Sequence, residues 1–389
     1  MSRSVLSLVG PVILLATLLP GCHDDEGDLN PSPPHRDTIT LTYENPLEIE
    51  IAADRQWALL LHDRTASSGP AIQLVDLEAR EVLATQILDY YDVYDIEFLP
   101  NDEACFAGRP HGNIGYAVQF VHLPDLVLGA RVMLTDTAGT HGYLAVDTTG
   151  GFIYCSHAGG GAQDAIYRIR LSTHAIMDAD NDGQPPYGFD NGLVGGLFDR
   201  PARIFFDELS GKLVAANLGA DFITFVDASL WGTLERGAGL TFPIAGTSHL
   251  STAWAGLSAV RADGMGAGAG VYVFAGTVGN SAYLSRFGIS SHGLDLLETA
   301  AGRQWRYRNA DIRVHARADV FSVFVLQHDS AGVGVGQYRL NNLQLVAGSP
   351  YRPLVIPDTS LCAVGIDPVN DRLVLGDAHH PRLELMEIR

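Results

Sequence analysis

The chain has 389 residues, with 45 acidic against 25 basic side chains and a formal charge of −20. A surface of that sign repels nucleic acid, whose binding rests on neutralising phosphates with Lys and Arg. Hydrophobic residues make up 47%, with 42 Gly and 19 Pro, a balance suited to many short buried strands joined by tight turns.

Met1–Ser4 holds one positive charge, Arg3; an apolar run follows from Val5 to Leu19, and then Pro20-Gly21-Cys22. A charged start, a short apolar stretch and a small residue before the cut describe a secretory signal over 1–21, too short for a stable membrane span. LLPGC resembles a bacterial lipobox, which implies that Cys22 becomes the first mature residue and carries a lipid. The plainer alternative is an ordinary cleaved signal with an incidental cysteine. His23, not Asp, follows Cys22, and by resemblance to proteobacterial sorting this favours the outer membrane of the cell envelope. The next stretch, HDDEGDLNPSPPHR, makes 22–36 an acidic, Pro-rich tether expected to be extended and solvated. Its acidity repels anionic headgroups, so the lipid is left to anchor the chain to the membrane.

From 37 to 389 the chain repeats itself. Ser360–Arg389 runs strand, Asp-rich turn, strand, polar turn, strand, and the plan recurs at Glu48–Leu88, Asp92–Leu134, Gly142–Ala179, Pro201–Ala245, Leu250–Ala300 and Asp311–Pro350. Each copy alternates apolar and polar residues over short runs rich in Val, Ile, Leu, Phe and Tyr. Repeats of about 40–50 residues with four strands each predict an all-β chain, a seven-bladed β-propeller. The last copy has three strands, and the spare ribbon Asp37–Tyr43 (DTITLTY) precedes the first. Setting this N-terminal strand in the last blade completes four strands and covers an edge that would invite aggregation. Cys105, Cys155 and Cys362 lie inside apolar strand patterns and are expected as buried free thiols; a Cys105–Cys155 bridge between neighbouring blades is the alternative.

Units such as GIDPVNDRLVLGDAHHPRLELMEI and IFFDELSGKLVAANLGADFITFVD resemble the YVTN-type bacterial propellers. That group includes surface-layer proteins, a lactonase-like branch and lipoproteins. The resemblance covers most of the mature chain and rests on repeat rhythm: LLLH, CFAG, YCSH, VAAN and VLGD stand where the YVTN tetrapeptide would. Trp-Asp blade endings and sialidase Asp-boxes are absent.

Two groups of side chains bear chemistry. Aligning the ends of the second strands brings His62, His111, His157, Asn217, Asn280, His328 and His379 with His380 to one rim, and the loops entering first strands add His141 and His249. Imidazoles gathered there would suit a transition metal or another ligand; solvated loop residues are the plainer reading. Asp178-Ala179-Asp180-Asn181-Asp182-Gly183 has the opening spacing of a calcium loop, with Phe189 at the twelfth position and Asp190 one step later. An acidic turn is its alternative. No Gly-x-Ser-x-Gly or Ser-x-x-Lys supports an acyl-enzyme. Tyr90, Tyr91 and Tyr94 lead into the second repeat, and Trp305-Arg306-Tyr307-Arg308 is a basic stretch fit for a protein contact. The expected function is a monomeric binding or scaffolding module for a protein, glycan or small ligand. A metal-assisted hydrolase or lactonase built on the histidine rim is the alternative.

Overall fold

The computed structural model describes most of 36–134, 142–179, 198–231 and 342–388, and between these mainly the strands; side chains of 259–316 are outside it. The described residues belong to one compact unit, His35–Arg389. Among the described residues, seven antiparallel sheets account for the strands, each made of sequence neighbours except the last, which also takes in the first strand of the unit.

The first sheet is β2 (Pro46–Ala52), β3 (Trp57–His62), β4 (Ala71–Asp76) and β5 (Glu81–Ile87). The second is β6 (Tyr90–Leu99), β7 (Glu103–Pro110), β8 (Ala117–His122) and β9 (Val127–Met133). In the third, β10 (Leu144–Asp147), β11 (Phe152–His157), β12 (Ala165–Arg170) and β13 (Ala175–Met177) are joined by β14 (Phe189–Asp190), which also pairs with β12. The fourth holds β15 (Pro201–Asp207), β16 (Lys212–Asn217), β17 (Phe222–Asp227) and β18 (Leu240–Pro243). The fifth holds β19 (Ala259–Ala262), β20 (Val271–Val278), β21 (Ser281–Ser290) and β22 (Gly293–Arg303). The sixth has β23 (Ile312–Ala316), β24 (Phe321–Asp329) and β25 (Gly332–Arg339). The last has β26 (Leu361–Asp367), β27 (Arg372–Asp377) and β28 (Arg382–Glu387), with β1 (Arg36–Thr40) outside β28.

Turn chemistry explains the hairpins. Asp147 ends β10, accepts the Gly150 N–H on its carboxylate and the Gly151 N–H on its carbonyl, and Gly151 takes φ +74, where a side chain would strain. Asp367 plays the same part in the last sheet. Burial opposes its charge, but Asn370 and Arg372 (Nη2 2.6 Å) outweigh that and hold the carboxyl below its usual range.

In the first two sheets the second and third strands are the most buried and the fourth is the most exposed. WALLLH of β3 and RLVLGD of β27 are buried from their second residue on, whereas EVLATQI of β5 alternates exposed and half-buried. Near-continuous apolar runs are what a strand needs when both its faces meet another sheet. Leu59, Leu61 and Ile72 pack with Ile96, Phe106 and Val121 of the second sheet. Cys105 and Phe120 meet Ile153, Cys155 and Tyr167 of the third, and Tyr154 and Ile166 meet Ile204, Leu213 and Trp231 of the fourth. Ile39, Val374 and Leu383 of the last sheet pack with Ile49, Ala58 and Leu60 of the first. The first strands are also neighbours: β2 lies against β6 and β26, β10 against β6 and β15, β19 against β15 and β23, and β23 against β26. Cys105, Cys155 and Cys362 are buried and outside any disulfide, and burial pushes the first two thiols well up.

The sixth sheet departs from the four-strand plan. Leu345 and Tyr351 make isolated bridges to Tyr338 and Val335, so an irregular segment covers the outer edge of β25. Tyr351 exchanges backbone hydrogen bonds with Val335, and Pro353, two residues on, has no N–H with which to continue the ladder. β1 pairs with β28 from Arg36↔Met386 to Thr40↔Arg382, and Ile39 and the adjoining Leu41 are buried. A chain beginning at Glu44 loses those two side chains and uncovers β28; we expect its thermal midpoint to fall by at least about 5 °C, with light scattering rising on heating.

Candidate functional site

One end of each sheet gathers the end of the second strand and the loop entering the first. The ladder puts His62 opposite Ala71 and His157 opposite Ala165, at matching ends of β3 and β11. In the second sheet the residue opposite Ala117 is Gly108, and His111 stands three residues further on, exposed in the turn. His328 lies opposite Val333 near the end of β24, with its side chain outside the described residues, as are His141, His249 and Asn280. His379 and His380 are exposed in the turn after β27. The rim histidines therefore share an end of the sheets but differ in register and burial. Among the described residues no three His, Cys, Asp or Glu side chains gather as a metal ion requires.

His62 and His157 are buried to 0% and 1% exposure. His62 Nδ1 meets the Glu44 carbonyl at 2.9 Å, and desolvation lowers its pKa to about 4 against that bond. His157 packs edge-on against Tyr116 at 5.4 Å, and its ring fills the space a side chain at Gly139 would need; burial lowers it also to about 4. Buried Asn217 accepts the Asp199 N–H (3.0 Å) and donates to Thr224 Oγ1 (3.0 Å). Buried Asp377 accepts the His379 N–H (2.9 Å) and Arg382 Nε (2.8 Å). These side chains clasp loops to strands.

A charged cluster went unrecognised in the sequence. Arg203 of β15 reaches Glu48 Oε2 of β2 at 2.6 Å and Asp95 Oδ1 of β6 at 3.5 Å, with Tyr143 4.7 Å from its guanidinium carbon. Asp95 also accepts the Leu144 N–H at 2.8 Å, so one point joins the first four sheets. Burial raises the Asp95 carboxyl to about 7; Arg203 opposes the shift and Glu48 adds to it. The available signal was the acids interleaved with apolar residues in two first strands: Glu48 and Glu50 within PLEIEIA, and Asp92, Asp95 and Glu97 within YYDVYDIEFL.

In the proposed calcium segment, Asp178 follows β13 and its Oδ2 accepts the Gly183 N–H at 2.7 Å, while the Ala179 N–H reaches the Tyr187 carbonyl at 3.1 Å. Phe189 and Asp190 then pair with Ile166 and Ala165, returning the chain to the edge of β12 it had left at Met177. Asp178 Oδ1 is shielded from solvent with no hydrogen-bond partner among the described residues, which fits a cation ligand. Asp180, Asp182 and the Asp190 side chain lie outside the described residues. Beside this segment is a cavity of about 540 Å³ lined by Arg131, Met133, His174, Ile176, Asp178 and Tyr187.

The tyrosines divide by role. Tyr90 is buried against Phe106, and Tyr94 meets Tyr116 at 5.4 Å. Tyr91 is 44% exposed, with Arg64 at 5.1 Å, Arg109 at 4.9 Å and the His111 ring at 4.9 Å. Trp305–Arg308 lies outside the described residues.

Successive antiparallel meanders, packed face to face with their first strands adjacent, define a β-propeller fold. Solved structures agree. The chain is similar to the Cps50 (Swd1) β-propeller domain of Myceliophteria thermophila, with a TM-score of 0.62 and 11% identity over 91% of this chain and 100% of that one. It is similar to the RRP9 WD40 repeats, with a TM-score of 0.61 and 9% identity over 91% and 97% of the two chains. A chain of the mitotic checkpoint complex gives 0.59 and 10%, over 98% and 99%. No family model and no curated protein matches the sequence.

The buried histidines set an acid limit. Unfolded imidazole titrates near 6.5 and His62 and His157 near 4 in the fold, so the unfolded chain binds more protons in that window. Their contribution is present above 6.5 and drains as pH falls towards 4, by on the order of 3 kcal/mol for each. Urea unfolding between pH 7 and 4.5 should show this loss, with a shallower slope in His62→Gln; an unchanged slope removes His62 as a cause.

Proposed function

We propose that 37–389 is a ring of seven blades, closed by β1 in the last sheet, and that it serves as a non-enzymatic binding and scaffolding module held in the bacterial cell envelope by a lipid on Cys22. The adjacency of β2 to β26 and β6, and the shared core of the last and first sheets, support the ring. The repeat rhythm favours the YVTN-type subgroup. One observation carries the scaffolding reading. His62, Asn217 and Asp377 at the rim are spent on holding loops, which leaves a preorganised face of the kind binding surfaces use. One similar structure is itself part of a complex, the mitotic checkpoint complex. Photo-crosslinkers at Ile114, 65% exposed in the β7–β8 loop, and at Val369, 61% exposed in the β26–β27 turn, test the reading in cells. A protein adduct from Ile114 and none from Val369 is expected, and membrane recovery of the chain should be lost in Cys22→Ser. No adduct from either position overturns the scaffold; unchanged recovery overturns the anchor.

We also propose that Asp178, Asp180, Asp182 and Asp190 hold one calcium ion, which would stiffen the excursion between β13 and β14. The unspent Asp178 Oδ1 supports this. Calcium should raise the thermal midpoint of chelator-treated protein by about 3 °C or more, and Asp178→Asn should abolish the rise. Equal midpoints with and without calcium exclude the site.

A further inference from the structure

Tyr91 is the exposed hub of two loops. Its ring has the guanidinium of Arg64, from the β3–β4 loop, at 5.1 Å, that of Arg109 at 4.9 Å, and the His111 ring at 4.9 Å. Stacking on an aromatic ring fixes a guanidinium plane and leaves its edge donors free for a planar acceptor. Arg109 spends Nη2 on Asp92. Arg64 is exposed, and its side chain makes no hydrogen bond or ion pair among the described residues. The neighbouring Asp63 directs Oδ1 to the Arg64 backbone N–H at 2.8 Å, and Asp89 is exposed. Two apolar side chains stand at the same end of the sheets: Ile87 closing β5, 60% exposed, and Ile114.

A fixed, unspent arginine fork at the same end of the sheets as exposed isoleucines matches a carboxylate flanked by apolar groups. The chain's −20 charge acts at a distance, but screening over about 8 Å lets contact groups decide the fit. It also disfavours a long polyphosphate or an anionic membrane, which would meet the acidic surface around the cluster. We propose that the Arg64–Tyr91–Arg109 cluster docks an acidic, leucine-like segment of a protein partner, with a carboxylate on the Arg64 fork. This deepens, and rests on, the scaffolding reading.

The test uses the purified full chain in detergent and a fluorescein-labelled peptide of alternating glutamate and leucine, with a lysine–leucine peptide as control. Anisotropy should show binding of the glutamate peptide alone, weakened roughly tenfold by Arg64→Gln or Tyr91→Ala. Arg64→Lys should recover only part of it. Arg80→Gln should change nothing, since Arg80 lies in the turn at the far end of β4 and pairs with Asp37 (2.6 Å). No binding, equal binding by Arg64→Gln, or full recovery with lysine overturns the proposal. Crosslinks from Ile114 that survive Arg64→Gln sink this cluster and spare the scaffold; peptide binding with no protein adduct in cells does the reverse.

Discussion

Sheet-on-sheet contact is the constraint from which the rest of the molecule follows. A second strand covered on both faces must be largely apolar, as the buried runs of β3, β11 and β27 are, with polar residues kept to their ends. The outer strands meet solvent and can be charged, as Glu81 of β5 is. The hydrophobic core is thus a series of thin layers between neighbours, with no single centre. Chemistry is confined to the ends of the sheets and to their first strands.

Both places are used to join sheets and loops. The Glu48–Arg203–Asp95 cluster ties β2, β6 and β15, and through the Leu144 N–H it reaches β10. A charge cluster of this kind contributes little net stability after desolvation, but it penalises any arrangement that separates its members. The clasps at His62 and Asn217 do the same for the loops. Rigidity of the exposed end is a sum of such local bonds.

Much of the fold was legible because the period is short and its punctuation chemical. Asp147 and Asp367 mark turns by binding the turn's own backbone, a local act that needs no tertiary context. Strand content followed from alternation and apolar runs. The histidine rim was legible only in part. Aligning the ends of the second strands by sequence sets His111 level with His62, whereas the ladder sets Gly108 there, because only cross-strand pairing fixes register. Nor does a sequence say which imidazole is buried: His62 and His111 stand at similar points of their repeats, yet one is enclosed and the other open. Arg203 was invisible for a different reason. Its partners lie 155 and 108 positions away, and nothing local marks an arginine in a first strand as a bridge.

The pairing of β1 with β28 carries a consequence for how the molecule comes into being. Arg36 and Met386 are partners, so this strand finds its mate only after every sheet that lies between them in the sequence has emerged. Closing so large a loop costs little more than closing a moderate one, since the entropy grows with the logarithm of length, but contacts this remote form late. Until then Arg36–Thr40 is a β-prone ribbon without its neighbour, open to the wrong one. A chain cut short before β28 leaves it orphaned, and its uncovered backbone distinguishes the unfinished product from the finished one.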